Sequence, residues 1–205
     1  MKRYSAGIAI ITILLSACCP MVSVNPLSAP AELDKRLEGV WKYDSRDDEE
    51  VYLHIAEKSE NTMVALSVEH KKSGNLDIIK IPFFLTRTNT NNYLNVRLED
   101  LEREVSEGNE GFIFIKYVFI DKNTLLFFQL DSQLIIPAIQ TEKLKGKITY
   151  NKKIVPQEIK NNNAKSYKTV DCVIITDTSK NILNFVEAGN NDELFPDAKK
   201  FIKVN

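Results

Sequence analysis

The sequence predicts a mainly β fold of the α+β type, in which a curved antiparallel sheet or barrel carries two short helices in the C-terminal half. Three observations support this prediction. Short runs of alternating apolar and polar residues recur from Val40 onward and are separated by polar turns. Two runs in the middle of the chain are apolar on both faces. Two segments with helical spacing follow them, which together indicates about nine or ten strands joined largely by hairpins.

The first half of the predicted domain consists of strands that follow a helical turn within residues 31–38. The expected strands are, in order, residues 40–43, 51–55, 63–69, 76–86 and 93–98. In two of these strands, alternation places the apolar residues on one face of the strand. These residues are Val51, Leu53 and Ile55 in the first, and Val64, Leu66 and Val68 in the second. Pro82 cannot donate a ladder hydrogen bond, so it predicts an edge position or a bend. We expect the acidic residues 99–111 to form a loop or a frayed helical turn, exposed in either case.

A β-hairpin is the strongest local prediction. Residues 112–120 and 124–130 are rich in β-branched and aromatic side chains, and Asp121-Lys122-Asn123 between them has turn chemistry. The first strand is apolar on both faces, with Phe112, Phe114 and Val118 on one and Ile113, Ile115, Tyr117 and Phe119 on the other. Such a strand must be covered on both sides.

Two helices are expected to provide this cover. The first spans residues 134–144 and follows Asp131 and Ser132 as capping residues. The second spans residues 179–188, between Thr178 and Gly189, and its Ile182, Phe185 and Val186 form an apolar stripe. The remaining strands are expected at 147–155 and 170–176, and a last one at 200–204 closes the sheet.

The N-terminus has the three parts of a secretory signal. Lys2 and Arg3 precede an apolar stretch at residues 6–15, which is too short to cross a bilayer as a helix, since crossing takes about 20 residues. The stretch ends in Leu15-Ser16-Ala17-Cys18. This motif resembles the lipobox of bacterial lipoproteins. The resemblance implies a diacylglyceryl group on the Cys18 thiol, cleavage before Cys18 and acylation of the new amine, for which palmitate is the expected chain.

The same resemblance divides the chain and gives it an address. Residues 1–17 are the signal peptide, 18–30 the lipidated Cys and a tether, and 31–205 a single β-rich domain. Cys19 rather than Asp follows the lipidated residue, which in the sorting pattern of enterobacterial lipoproteins implies the outer membrane, with the domain in the periplasm. The proline-rich tether is expected to be extended and to hold the domain up to about 40 Å from the bilayer.

Gly39-Val40-Trp41, on the first predicted strand, resembles the Gly-x-Trp element of lipocalins and lipocalin-like lipoproteins. In that family the Trp packs across the closed end of an eight-stranded barrel, and a small apolar ligand occupies the interior. This chain lacks the family's Thr-Asp-Tyr turn and has Lys200 and Lys203 but no Arg on its last strand. The strand order therefore stays open. The layout of the whole chain also resembles a group of uncharacterised bacterial lipoproteins.

Charge and motifs exclude several functions. The chain has 27 basic and 28 acidic side chains, and without residues 1–17 the numbers are 25 and 28, so we expect no nucleic-acid partner. His54 and His70 are the only histidines and no ligand spacing surrounds them, so we expect no metal and no cofactor. No catalytic motif is found, and we expect no enzyme. Cys19 and Cys172 are one possible disulfide pair. The alternative is that Cys172 is a small buried hydrophobic residue.

Three functional hypotheses follow from these features. In the first, the sheet encloses an apolar cavity for a small ligand. In the second, the sheet is filled by its own side chains and the protein meets another envelope protein or has a structural role; the third is a hydrolase with unrecognised carboxylate chemistry. The candidate ligand or core residues are Trp41, Phe112, Phe114, Phe119, Phe127 and Phe128. The first hypothesis requires an empty cavity inside the sheet, whereas the second requires that side chains fill it.

Overall fold

A computed structural model describes residues 21–44, 50–71, 73–101, 110–154, 166–188 and 191–204, with the backbone alone at 151–154 and 166–169. The strands in these ranges are β1 (Met21–Ser23), β2 (Gly39–Tyr43), β3 (Glu50–Ser59), β4 (Thr62–His70), β5 (Leu76–Arg87), β6 (Asn92–Arg97), β7 (Phe112–Asp121), β8 (Thr124–Gln129), β9 (Gly146–Ile154), β10 (Ser166–Ile175) and β11 (Ala198–Val204). The helices are α1 (Ser132–Gln140), α2 (Ser179–Glu187) and the single turn α3 (Asn191–Leu194), and Lys35–Leu37 and Leu98–Asp100 are 3₁₀ turns.

Eight of these strands form a closed antiparallel barrel. From β2 to β8 the chain is an up-and-down meander in which every strand pairs with the next. The last strand, β11, closes the barrel because it pairs with β8 on one side and with β2 on the other. The predicted mainly β fold is confirmed, and the residues between β8 and β11 are an insertion between two neighbouring barrel strands.

A three-stranded extension lies beside the barrel. In it, β1 pairs in parallel with β10, and β10 pairs antiparallel with β9. Ser23 at the end of β1 meets Phe112 of β7, which connects the extension to the barrel. Gly111 has a positive φ of 125° there, and a Cβ on it would lie 2.4 Å from the Ser23 carbonyl oxygen. This close approach therefore requires glycine.

The expected tether over residues 18–30 is wrong for the part that the structure describes. Residues 21–23 form β1, and Leu27 is 1% exposed. The Leu27 N–H donates to the Oδ1 of buried Asn95 at 2.9 Å, and the Ala31 N–H donates to the Leu85 carbonyl at 2.8 Å. The segment is proline-rich but offers apolar side chains to the domain, and their burial packs it against the domain.

Strand β7 separates two apolar clusters. Ile113, Ile115 and Tyr117 face the barrel interior. Phe112 and Phe114 face outward and pack with the side chains of the helices and the extension. The prediction that this strand is covered on both sides is confirmed, and the predicted hairpin is β7 and β8, with Asp121 as the last residue of β7.

The 3₁₀ turn at Lys35–Leu37 crosses one end of the barrel. Trp41 lies beneath it with no exposed surface, and the Trp41 Nε1–H donates to the Leu37 carbonyl at 2.8 Å. The Lys203 ammonium lies 5.0 Å from the centroid of the Trp41 ring. Gly39 has a positive φ of 124°, and a Cβ there would lie 2.9 Å from the Lys203 Cε. The glycine two residues before Trp41 thus leaves room for a cation over the indole ring, and in this chain that cation is Lys203.

Other details refine the sequence predictions. Val64, Leu66 and Val68 do share a face, but it is the outer face of β4, because Met63 and Ala65 of the same strand are in the barrel core. The first predicted helix begins at Ser132 and ends at Gln140, and the second ends at Glu187.

β5 pairs with both β4 and β6, so the predicted edge position of Pro82 is wrong for the strand, although Pro82 itself lies before the ladder with β6 begins. Pro82 pairs with Val64 of β4, whereas pairing with β6 starts only at Phe83, opposite Val96. The ladder on the β6 side therefore begins after the residue that lacks an N–H.

Candidate functional site

The barrel interior is packed. Among the residues that the structure describes, a small cavity of about 20 Å³ lies between its apolar side chains, which gives room for about one water molecule. It is lined by Leu53, Ile55, Ala65, Ile81, Phe83, Leu94, Val96, Ile115 and Phe127. All eight barrel strands contribute buried apolar residues to this interior.

A larger space lies outside the barrel, on the helical cover. This groove has a volume of about 470 Å³. It is lined by Leu134, Pro137, Ala138, Thr141, Lys143, Phe185, Ala188, Glu193 and Leu194. We call it the helical groove. Its volume lies within the roughly 300–1,000 Å³ that is usual for small-molecule sites.

The sequence of α1 and α2 explains why space remains between them. Asp131 caps α1 by accepting from the Gln133 N–H at 2.8 Å, and Thr178 caps α2 by accepting from the Asn181 N–H at 3.3 Å. Each helix then ends beside a small residue. Ala138, Ala188 and Pro137 have small side chains and occupy little of the space between the helices. The larger Leu134 and Phe185 form the walls of the space that is left.

A carboxylate at the end of α2 holds this helix against the barrel. Glu187 accepts from the Thr88 hydroxyl at 2.9 Å, from the Thr90 hydroxyl at 2.7 Å, from the Asn91 amide at 3.1 Å and from the Tyr93 hydroxyl. Partial burial alone would raise the pKa of Glu187, but these hydrogen bonds outweigh it and hold that pKa below its usual value. Glu187 is therefore a structural anion beside the helical groove.

A buried cation holds the single helical turn α3 in place. Lys116 of β7 is 6% exposed, and its ammonium donates to the Asp192 carboxylate at 2.8 Å and to the Asn191 side chain. This hydrogen bond from Lys116 lowers the pKa of Asp192. The ammonium also lies 5.8 Å and 6.0 Å from the ring centroids of Phe128 and Phe195. The contacts locate α3, and with it Leu194, at the rim of the groove.

A second polar cluster lies at the closed end of the barrel. Asp34 is 4% exposed and accepts two hydrogen bonds from the Arg36 guanidinium, at 2.9 and 2.7 Å, and one from the Tyr117 hydroxyl at 3.2 Å. Arg87 lies 3.5 Å from the same carboxylate. Burial alone would raise the pKa of Asp34, but the hydrogen bonds from Arg36 lower it below its usual value. Burial and the Asp34 charge raise the pKa of Tyr117. All of these groups satisfy one another, which is typical of a structural cluster.

The structure separates the candidate ligand or core residues into groups. Trp41 and Phe127 are in the barrel core, and Phe119 packs at its closed end with the Arg36 guanidinium 4.6 Å from its ring centroid. Phe112 and Phe114 are buried outside the barrel, and Phe128 packs against the same cluster. The residues Leu15, Ser16, Ala17 and Cys18 lie outside the described residues.

The remaining candidates lie apart. His54 and His70 are exposed on β3 and β4. Cys172 is half-buried with a free thiol, whose pKa is raised by burial and by Asp171. Within the part of the chain that the structure describes, no group of three His, Cys, Asp or Glu side chains is placed to hold a metal ion. In the same ranges, none of the helices is both long and apolar enough to cross a membrane.

The helical groove was missed by the sequence reasoning. Phe185 belongs to an apolar stripe that predicts core, and only the structure shows that Leu134 of the first helix remains 39% exposed. The one available signal is the set of small residues, Pro137, Ala138 and Ala188, near the helix ends.

The closed barrel, with Trp41 beneath a 3₁₀ turn at one end, is consistent with a lipocalin-like architecture. No protein-family model, curated protein or solved structure matches the chain.

Proposed function

We propose that this chain is a bacterial envelope lipoprotein, anchored through lipid on Cys18, whose barrel domain binds a small apolar ligand in the helical groove. The observation that carries the binding role is the contrast between two volumes, about 470 Å³ in the groove and about 20 Å³ inside the barrel. A small molecule fits the first and not the second. We propose binding rather than catalysis, because most of the described residues that line the groove are apolar.

The lining of the groove supports an apolar occupant. Leu134, Pro137 and Phe185 supply hydrophobic walls, while Thr141 and Lys143 are exposed at the rim. The Thr141 hydroxyl already donates to the Pro137 carbonyl at 2.8 Å, so its hydrogen is satisfied within the helix. Burial of a ligand against such walls is driven by about 25 cal/mol for each Å² removed from water. We propose that the Lys143 ammonium at the rim pairs with a polar end group of the ligand.

Native mass spectrometry with lipid extraction tests the ligand. The full chain is expressed in a bacterium and purified from the envelope, and we expect a bound lipid or hydrophobic small molecule. Ala188→Trp fills the groove at an exposed position, so the bound mass should be lost. Ala56→Trp, at an exposed position of β3, is the matched control and should retain it. A mass that is absent from the wild type, or present equally in both variants, would contradict binding in the groove.

The anchor is supported by Leu15-Ser16-Ala17-Cys18 at the end of an apolar stretch, and Cys19 after it supports the outer membrane. Three acyl chains would hold the protein essentially permanently, since each buried CH₂ contributes about 0.8 kcal/mol. The test is metabolic labelling with palmitate. We expect label in the wild type and none in Cys18→Ser, which should also keep its signal peptide. Label that persists in Cys18→Ser would refute this assignment.

A specific observation favours a second candidate, contact with another envelope protein. The outer face of β4 and β5 exposes three large apolar side chains, with exposed fractions of 39% at Leu66, 53% at Leu76 and 62% at Ile78. Val68 is the register partner of Ile78, so these residues form one continuous face. Photocrosslinking from position 78 in intact cells should then yield a specific adduct with an envelope protein. Loss of that adduct in Leu66→Ser, with the groove ligand retained, would assign the interaction to this face.

A further inference from the structure

We propose that the β9–β10 hairpin is a second membrane contact, in which its lysines bind the anionic head groups of phospholipids next to the lipid anchor. This inference rests on the proposed anchoring at Cys18. It adds to the anchor an electrostatic surface that fixes how the barrel lies on the bilayer.

Charge is the first argument. Between Glu142 and Asp171 the sequence contains eight lysines and one acidic residue, Glu158, although the whole chain has a formal net charge of −1. Strand pairing concentrates this charge. Lys152 of β9 is the register partner of Lys168 of β10, and Lys153 is the next residue along β9. Like charges at directly opposed positions destabilise a strand pair, and an anionic surface removes that penalty.

Position is the second argument. Because β1 and β10 are parallel and Met21 is the register partner of Val173, residues 166–172 of β10 precede the level at which β1 begins. These seven residues extend roughly 23 Å at about 3.3 Å per residue. They extend toward the side from which the chain enters β1. Lys152, Lys153 and Lys168 all lie in this projecting part.

The short connection to the anchor is the third argument. Cys18 is three residues before Met21, so covalent geometry keeps the two within about 11 Å of each other. A lipid on Cys18 therefore brings the start of β1 to the level of the head groups. The projecting hairpin is next to β1 in the sheet and is brought to the same surface. Lysines at the level of the head groups lie within a Debye length of the lipid phosphates, about 10 Å at 0.1 M salt, so salt does not screen out their attraction.

Lysines on an edge strand also prevent edge-to-edge aggregation, and β9 is the last strand of the sheet among the described residues. That role requires charge but no anionic partner. The two explanations therefore differ in one measurable quantity, the partition of the protein onto anionic vesicles.

The experiment uses a chain from residue 18 onward with Cys18→Ser, since every described strand and helix lies within residues 21–204. Its circular dichroism confirms folding in each variant. We measure co-sedimentation with vesicles that contain phosphatidylglycerol and with vesicles of phosphatidylcholine alone. At about 1 kcal/mol per lysine near the surface, the triple change K152Q/K153Q/K168Q should lower the partition onto anionic vesicles on the order of 100-fold.

The matched control is K58Q/K122Q/K180Q, which removes the same charge from exposed lysines in other parts of the molecule. It should change the partition by less than about threefold, and raising salt from roughly 0.1 to 1 M should abolish binding of the wild type. Equal losses in the two triple variants, or no preference of the wild type for anionic vesicles, would overturn the hairpin contact. Palmitate labelling of the full chain separates the two proposals, because its failure would refute the anchor whatever the vesicles show.

Discussion

The packed barrel makes a prediction whose sign depends on whether the interior is full. Ala65 is 6% exposed and faces the interior between its register partners Ile55 of β3 and Ile81 of β5. The change Ala65→Leu adds three carbon atoms at the wall of a cavity of about 20 Å³. A cavity of this size has room for about one water molecule, so three carbon atoms exceed the available space.

The magnitude follows from this mismatch. Overpacking of a filled core costs about 1–3 kcal/mol, so we expect Ala65→Leu to lower the free energy of unfolding by that amount. In an open ligand cavity the same three carbon atoms would be buried without strain. Each would then contribute about 0.8 kcal/mol, and the variant would be more stable by up to about 2.4 kcal/mol.

Urea denaturation distinguishes these outcomes. Trp41 is the single tryptophan and is fully buried in the barrel core, so its emission reports unfolding of the interior. Circular dichroism provides an independent probe of the same transition. Ala56→Leu, at an exposed position of the neighbouring strand, is the control and should change stability by less than about 0.5 kcal/mol. A variant Ala65→Leu that is as stable as the wild type, or more stable, would refute the packed interior.

Three further predictions concern the other parts of the molecule. Phe114→Ala should lower the free energy of unfolding in urea by about 3–5 kcal/mol, because the ring is 1% exposed. Leu76→Ala, at a side chain that is 53% exposed, is the control and should lower it by less than about 0.5 kcal/mol. Similar losses of stability in the two variants would contradict the outer cluster. The pKa of Glu187 lies below its usual 4.5, so on acidification the unfolded chain binds the proton before the folded chain does. The free energy of unfolding should therefore decrease as the pH is lowered below about 4.5, by at most about 1.4 kcal/mol per pH unit. Glu187→Gln should flatten this slope, and an unchanged slope would argue against the cluster. Lys203→Gln should cost about 0.5–1 kcal/mol and shift the Trp41 emission, whereas Lys203→Arg should preserve both; an unaltered emission in Lys203→Gln would exclude the cation–ring contact.

Much of the barrel could be predicted from the sequence because strand alternation is a local signal. Val51, Leu53 and Ile55 are all buried as their alternation indicates. The two-sided burial of β7 follows from its composition in the same way. In β4 the signal is ambiguous, because apolar residues occupy both faces and the bulkier set, which includes Leu66, lies outside.

Other features depend on contacts between distant residues. β1 has only three residues in a proline-rich segment, and it forms a strand because β10 provides a partner about 150 positions away. The helical groove depends on how α1 and α2 are placed, and the same helix sequences would leave no groove at another distance. The lysines of β9 and β10 lie in one stretch of the sequence, but the strand register is what brings Lys152 opposite Lys168.

The closure of the barrel by β11 has a consequence for folding during synthesis. Trp41 and Lys203 are register partners about 160 positions apart, so the final ladder cannot form until nearly the whole chain is available. Contacts of such high sequence separation slow folding. Until they form, β2 and β8 each keep an unpaired edge, which is a template for pairing with another chain. A premature stop that removes only the last seven strand residues would therefore leave most of the sequence intact and yet produce an aggregation-prone protein.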